Sequence, residues 1–539
     1  MDLSPSQTAR ERLKEILVCF TLGNLVFLRA WYDLDRLESR SLNYFRILPM
    51  GSNLFLATLS ASLLLGAIFF LLGSVIRRFE SPVVQRVARA VFLAILLWPI
   101  ESVRRYWNEQ SPTTDLPSNI ALFVIEGLLA AGFLAALFGK PRIYFTARRV
   151  TLLMTMLFPI LMLDFVFARL YAEPASEYAT PPPAAVLASR GANAARVVWI
   201  IFDELDERLT FDRRPESLAL PELDRLRSES LHATQVGQTA RLTMMAMPSL
   251  FSGRVYEKST LTGARGIKLY PAGSKEPVEW KDEDNVFRRA RRLGVNTALV
   301  DWHHSTCRLF GDSMVRCYTV STQLPEAMLR ARRARVAGVS RTIVTLFREQ
   351  WTQMIYSEDQ ERTARERIIA SEQQQHFFAM RDEALRDAAD PGIDFAILHL
   401  PTPHLPPIYN RQRGDFDLSG SLDYFDNVAL ADRTLGDIRR AIAQAGLDKR
   451  TSLLVTSDHG FRPEIWRGHL GWTPELEHLS ATSDPPLVPF LVHFAGETEG
   501  SVFEKPFSNI VSGDLCLALL RGEVSNPAGV SNWLASFVR

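Results

Sequence analysis

Asp458 and His459 follow the apolar run that opens "TSLLVTSDHGF" and stand directly before Gly460. Asp203 and Glu204 close "VVWIIFDE" in the same way. One carboxylate from a first strand, joined by a carboxylate and an imidazole from a later one, gives a set of hard and borderline donors. Such a set holds a divalent cation such as zinc and leaves a coordination position open. An Asp-His pair after a strand is by itself an ordinary turn. Asp301 in "ALVDW" and His399 in "AILHL" change that reading, because they too end strand-like runs.

A metal site of this kind needs something to attack with. "QTARLTMMAMPSLFSGR" offers four hydroxyls, Thr239, Thr243, Ser249 and Ser252, and Thr243 is taken as the nucleophile. A hydroxyl is weakly nucleophilic at its free pKa, and a bound cation can lower that pKa in place of a basic side chain. Read without further context, a threonine here serves equally well as a helix cap or turn residue.

The elements that must position these groups alternate along residues 197–539. Buried strands are predicted at Val197–Phe202, "VNTALVDW", "DFAILHL", the run that opens at Thr451 and "VPFLVHF". Helices fall at "LPELDRLRSESL", Asn285–Leu293, Glu358–Ala388 and Tyr424–Ala445. Runs apolar on both faces, separated by helices, predict an α/β domain with a mainly parallel central sheet. In such sheets ligands bind beyond the carboxyl ends of the strands, which is where Asp203, Asp301, His399, Asp458 and His459 lie.

The first 170 residues are of another character. Leu54–Ile76 is uncharged over 23 residues, and Ile120–Gly139 and Val150–Ala168 each carry one acid. Ile16–Trp31 is shorter, and a fifth stretch from Ala88 has eleven uncharged residues between Arg89 and Glu101. These predict an all-α transmembrane bundle of about five helices over residues 1–170. With five spans, the loops on the N-terminal side carry eleven Lys and Arg and the opposite loops six. The cation-rich side is cytoplasmic, so the chain beyond residue 170 lies outside. Arg29, Glu101, Glu126 and Asp164 sit in the outer parts of these helices and either pair with one another or line a headgroup site. Residues 171–196, rich in Pro, Ala and small polar residues, read as an extended linker.

Lys and Arg number 61 against 60 Asp and Glu, a balance without the basic footprint of a nucleic-acid binder. Only eight of those cations are lysine, a bias common in bacteria with GC-rich genomes. Four cysteines are too few for a disulfide scaffold, but Cys307 and Cys317, ten apart and on the outer side, are expected to pair, with Cys19 and Cys516 left over.

Asp203 after "VVWIIF", Thr243 five residues before Pro248 in "TMMAMPSLFSGR", and "TSDHG" together resemble the alkaline phosphatase and sulfatase superfamily. The five spans ahead of an external domain are similar to its membrane phosphotransferase branch, the lipid A phosphoethanolamine transferases and lipoteichoic acid synthases. The resemblance covers nearly the whole chain, with 197–539 as the catalytic domain. It implies that Asp203, Thr243, Asp458 and His459 bind one or two zinc or manganese ions and that Thr243 carries the transferred group. It also implies that His404, His399 and His469 face the substrate, with Asp301 near them. Four departures mark the chain. Phe461 stands where a glutamate often follows the Asp-His-Gly motif, and Asp301 stands where many sulfatases have a lysine. The Cys/Ser-x-Pro-x-Arg motif of formylglycine sulfatases is absent. The first ligand strand also ends in Asp203, where phosphoethanolamine transferases have a glutamate.

The expected function is a metal-dependent transferase in the bacterial inner membrane. It moves a phosphoethanolamine or phosphoglycerol group from a phospholipid donor, through a threonine ester, to a cell-envelope glycan or lipid. Two other readings remain: a membrane-tethered phosphodiesterase or sulfuric-ester hydrolase with the same site, and a non-catalytic assembly subunit with the same fold.

Overall fold

The computed structural model describes residues 5–37, 44–45, 52–110, 116–170, 174–191, 194–320, 326–355, 358–481 and 485–538. The chain divides into two compact units, each assembled from several stretches. Residues 1–42, 48–173 and 324–362 make one, and residues 43–47, 174–323 and 363–539 the other.

The first unit is helical. Its helices are α1 (Pro5–Val26), α2 (Leu28–Leu37), α3 (Ser52–Ile76), α4 (Pro82–Gln110), α5 (Leu116–Leu137), α6 (Arg142–Met154), α7 (Leu157–Leu170) and α8 (Glu326–Ile355). Among the described residues three stretches are long and apolar enough to cross a membrane: Ser52–Ile76, Pro82–Ser102 and Arg142–Phe167. Phe123–Leu137 is apolar but shorter, and the Ile16–Trp31 stretch is divided between α1 and α2 at Phe27. Close packing in this unit is visible at Gly23, where an added Cβ would meet Ser62 O at 2.4 Å. Helix α8 comes from far along the chain and packs on α3 and α2. It is broken at Gly338, whose φ of 74° only glycine adopts without strain.

The second unit is built on an eight-stranded sheet. In chain order its strands are β1 (Arg196–Asp203), β2 (Leu231–Ala233), β3 (Thr297–Trp302), β4 (Arg316–Val320), β5 (Phe395–Pro403), β6 (Thr451–Ser457), β7 (Phe490–His493) and β8 (Ser501–Phe503). Their spatial order is β8-β2-β7-β6-β1-β5-β3-β4. The five strands from β6 to β4 are mutually parallel, whereas β7 runs antiparallel to β6 and to β2. Val197 to Phe202 are all fully buried, as a strand covered on both faces requires.

Ile200, Phe202, Val300, Leu398 and Val455 pack into a core with Phe425, Val428 and Leu435 of the helix Tyr424–Gln444. Full burial of each such side chain contributes about 1.5–3 kcal/mol. That helix starts at a reciprocal cap in which Asp423 and Asp426 each accept the other's backbone N–H. The register pairs Phe202 with Ser457 on β6 and with Leu400 on β5, so the carboxyl ends of the three central strands lie level. Cys307, just past β3, is disulfide-bonded to Cys317 on β4.

Candidate active site

β1 ends in Asp203, and the chain then turns through Glu204 at φ 70°. A non-glycine residue in that region stores about 1–3 kcal/mol, a cost that persists only where the surroundings enforce it. Here Asp458 Oδ1 accepts the Glu204 N–H at 3.1 Å, and Arg462 donates from its backbone N–H and guanidinium to the Glu204 carboxylate. The strained turn is thereby fixed between the ends of β1 and β6. His303, after β3, has φ 75°.

Four groups from three elements converge on one point. Thr243 Oγ1 donates to Asp203 Oδ2 at 3.2 Å and lies 3.2 Å from His459 Nε2. His459 Nε2 is 3.4 Å from Asp203 Oδ1 and 3.4 Å from Asp458 Oδ2. Thr243 is the first residue of the helix Thr243–Ser252, so its hydroxyl sits at the positive end of a helix dipole. The other three hydroxyls are engaged elsewhere. Thr239 donates to Asn509, while Ser249 and Ser252 donate to the carbonyls of Met245 and Pro248 within the helix.

Three imidazoles near this point share one arrangement. His399 Nδ1 is 2.6 Å from Asp301 Oδ1, His404 Nδ1 is 2.8 Å from Leu405 O, and His459 Nδ1 is 2.9 Å from Gly460 O. An oxygen acceptor at Nδ1 fixes the proton there and leaves Nε2 with its lone pair, as metal-ligating histidines require. Burial pushes the His459 pKa down to about 4 and that of His404 down to about 3, which keeps both rings neutral.

The carboxylates complete the picture. Burial, and then the neighbouring Asp458 charge, drive the Asp203 pKa well up. Burial also opposes ionisation of Asp458, but the groups around its carboxylate, among them the Glu204 backbone N–H that it accepts, bring its pKa down. Asp203 Oδ1, Asp458 Oδ2 and His399 Nε2 are buried without a hydrogen-bond partner. Unpaired buried acceptors of this kind call for a cation. Asp203, His399 and Asp458 form one group able to hold a metal ion, and Asp203, Glu204 and His404 form a second that shares Asp203.

The remaining sequence candidates fall outside this point. Asp301 lies behind His399, bonded to it and to Thr306, and is fully buried. His469 accepts the Gly471 N–H at Nδ1, and its Nε2 is 4.0 Å from Glu366. Phe461 packs on Tyr424 and stacks with Trp472. Gly460 is required by close approach: a Cβ there would meet Asp206 Oδ2 and Pro486 Cβ, each at 2.9 Å.

Three features escaped the sequence reading. Glu204 and its partner Arg462 were legible only as an acid at a strand end and an arginine after the motif. Tyr44 and Phe45 belong to the second unit although they lie far from it in the chain. Tyr44 Oη is 3.0 Å from His304 Nδ1, His304 Nε2 is 3.2 Å from the Thr243 carbonyl, and Phe45 meets the His303 ring edge-on. The adjacent histidines of "WHHS" were the one available signal.

Residues 195–512 match the family model described as Sulfatase. No curated protein sequence matches. Solved structures that resemble the chain include Ps i-CgsB, at 13% identity over 61% of this chain and 72% of that one, with a TM-score of 0.41. Another is a protein in the alkaline phosphatase superfamily from Vibrio parahaemolyticus (12% identity, 62% and 68% coverage, TM-score 0.37). A third is the phosphonate monoester hydrolase of Agrobacterium radiobacter (15% identity, 60% and 73% coverage, TM-score 0.36). The family model spans more than half of the 539 residues, and the chain belongs to the sulfatase family.

Proposed function

We propose that the protein is a membrane-anchored, metal-dependent transferase that takes phosphoethanolamine or phosphoglycerol from a phospholipid and passes it to an external glycan or lipid. The observation that carries this reading is the placement of Thr243 Oγ1 at 3.2 Å from both Asp203 Oδ2 and His459 Nε2. One or two zinc or manganese ions, held by Asp203, Asp458, His459, His399 and His404, would supply the positive charge that lowers the hydroxyl pKa and offsets the anion on the transferred group.

Thr243 Oγ1 attacks phosphorus as the bond to the diacylglycerol oxygen breaks, and the hydroxyl proton, held toward Asp203, ends on that leaving oxygen. The acceptor hydroxyl then forms its own bond to phosphorus as the bond to Thr243 Oγ1 breaks, and its proton returns to Thr243 Oγ1. Burial of the site favours transfer over loss to water: Thr243 is 3% exposed and Asp203, Asp458 and His459 are fully buried. A cleft of about 450 Å³ beside these residues is lined by Arg208, Arg213, Arg241 and Arg467 together with Asp206, Phe461 and Glu464, and Arg241 pairs with Glu464 and Arg467 with Glu477. Arg241 precedes Thr243 by two residues, and Phe461 follows His459 by two.

The three apolar helices support an anchor, which in a bacterium would be the inner membrane. The excess of cations in the N-terminal-side loops supports a catalytic domain on the outer face. Incubation of the full chain with mixed phospholipids, followed by peptide mass spectrometry, tests the reaction. A transferase accumulates a headgroup ester on Thr243 when acceptor is withheld, and Thr243→Ala abolishes it while Thr239→Ala does not. Steady release of headgroups into water with no adduct would instead mark a hydrolase.

A further inference from the structure

Helix α8 carries six arginines against two glutamates and lies within the sulfatase match, yet it belongs to the first unit. Its contacts there fall at one end of the apolar helices. Asn53, the second residue of α3, donates to the Ala334 carbonyl at 3.3 Å. Trp98, four residues before the end of the Pro82–Ser102 stretch, donates to Gln350 Oε1 at 2.8 Å. Phe27, at the junction of α1 and α2, meets Phe347 edge-on at 5.2 Å, and Arg330 pairs with Asp33 of α2 at 2.9 Å.

Two of these partners, Asn53 and Trp98, lie within about a turn of the ends of membrane-crossing stretches, which sets α8 at the depth of the lipid headgroups. The side that faces away from those partners is not polar. Val336 is 86% exposed, Val344 67% and Trp351 62%. Val344 and Trp351 are seven apart, on one face of the segment after Gly338, while Leu346 and Gln350 are buried on the other. Arg341 and Arg348 run beside that apolar stripe with the same spacing, and Arg335 precedes Val336. All three arginines are exposed and make no ion pair among the described residues. Apolar side chains bordered by guanidinium groups, with a tryptophan among them, match the boundary between acyl chains and anionic phosphates.

We propose that α8 is an interfacial helix that seats Val336, Val344 and Trp351 among lipid chains and binds anionic phospholipid headgroups through Arg335, Arg341 and Arg348. The inference rests on the reading of the N-terminal helices as membrane spans, and the experiment separates the two. Single cysteines replace Val336, Val344 or Trp351 in the full chain carrying Cys19→Ala, where the remaining free thiol, Cys516, is buried. Leu64→Cys on α3 and Lys275→Cys in the second unit are the controls. Each protein is spin-labelled and reconstituted in phosphatidylcholine bilayers containing phosphatidylglycerol, and its accessibility to oxygen and to a nickel chelate is measured.

The expected result is oxygen exceeding the chelate at 336, 344 and 351, at a depth between those of the two controls. Labels at these three positions that behave like Lys275→Cys, with Leu64→Cys still in hydrocarbon, overturn the interfacial helix and leave the spans standing. A water-exposed label at Leu64→Cys overturns the span reading and this inference with it. Shielding of all three positions from both reagents overturns it in favour of a protein partner or a second copy. For the charge, photo-crosslinking to phosphatidylglycerol should exceed that to phosphatidylcholine by about fivefold on α8 peptides, and the combined R335Q, R341Q and R348Q substitutions should bring the two level. Equal crosslinking in the unsubstituted protein overturns the headgroup assignment.

Discussion

Tyr44 and His304 are 260 residues apart in the chain and 3.0 Å apart between Tyr44 Oη and His304 Nδ1. With the phenol donating to Nδ1, the imidazole carries its proton on Nε2 and donates it to the carbonyl of Thr243, 3.2 Å away. The first turn of the nucleophile's helix is therefore held by a residue from a short N-terminal segment. Tyr44→Phe keeps the ring and removes the donor. The expected outcome is a three- to tenfold slower formation of the Thr243 adduct by mass spectrometry, with a stability loss of about 1 kcal/mol.

Metal content should separate residues that look alike in sequence. Asp458→Ala removes a ligand and should abolish stoichiometric metal and activity together. Asp301→Asn leaves every ligand in place but weakens the hold on His399 Nδ1, and should lower metal affinity about 10- to 100-fold. His469→Gln should bind metal as the unsubstituted protein does. Elemental analysis of the purified variants, before and after chelator, gives the comparison.

Asp432 offers a pH-dependent signature away from the active site. Burial raises its pKa to about 7 despite the Leu223 and Glu222 backbone N–H groups that its carboxylate accepts. The folded state then binds more protons than the unfolded state between about pH 4 and pH 7, so this group's contribution to stability is present below that window and lost as pH rises through it. The difference between the folded and unfolded values corresponds to a contribution on the order of 4 kcal/mol. Asp432→Asn should flatten denaturant stability across pH 5–8 relative to the parent. An unchanged slope would mean that another group titrates in this range.

Cys307 and Cys317 close a short loop between the end of β3 and β4. Protein isolated without reductant should show no reactive thiol at either position. Cys307→Ala with Cys317→Ala should cost about 2–3 kcal/mol, measured by denaturant unfolding of the second unit.

Much of the second unit was legible because buried parallel strands announce themselves as short, continuous apolar runs, and the ligand acids interrupt those runs at their ends. Asp203, Asp458 and His459 could be found in this way, and Pro248 in a short apolar helix marked the stretch that holds Thr243. Asp301 and His399 were visible as strand-end residues, but their relation was not, since a carboxylate behind an imidazole and one beside it leave the same sequence trace. Tyr44 was illegible for a different reason: a segment as short as residues 43–47, far along the chain from the rest of its unit, has no periodicity to read. The arginines of α8 read in the sequence as a solvated helix face, because nothing there shows that this helix packs on α2, α3 and α4.

The interleaving of the two units bears on how the chain is made. Residues 43–47 leave the ribosome long before the pocket that receives Tyr44 exists, and residues 324–362 are added to a helical unit whose other members were finished earlier. At roughly 5–20 residues per second, the 260 residues from Tyr44 to His304 take on the order of 13–50 s to synthesise. Neither unit can reach its final packing while its own stretch emerges. The N-terminal helices must wait, partly assembled, for α8, and the nucleophile's helix acquires its Tyr44 brace only once Tyr44 meets His304, made 260 residues later.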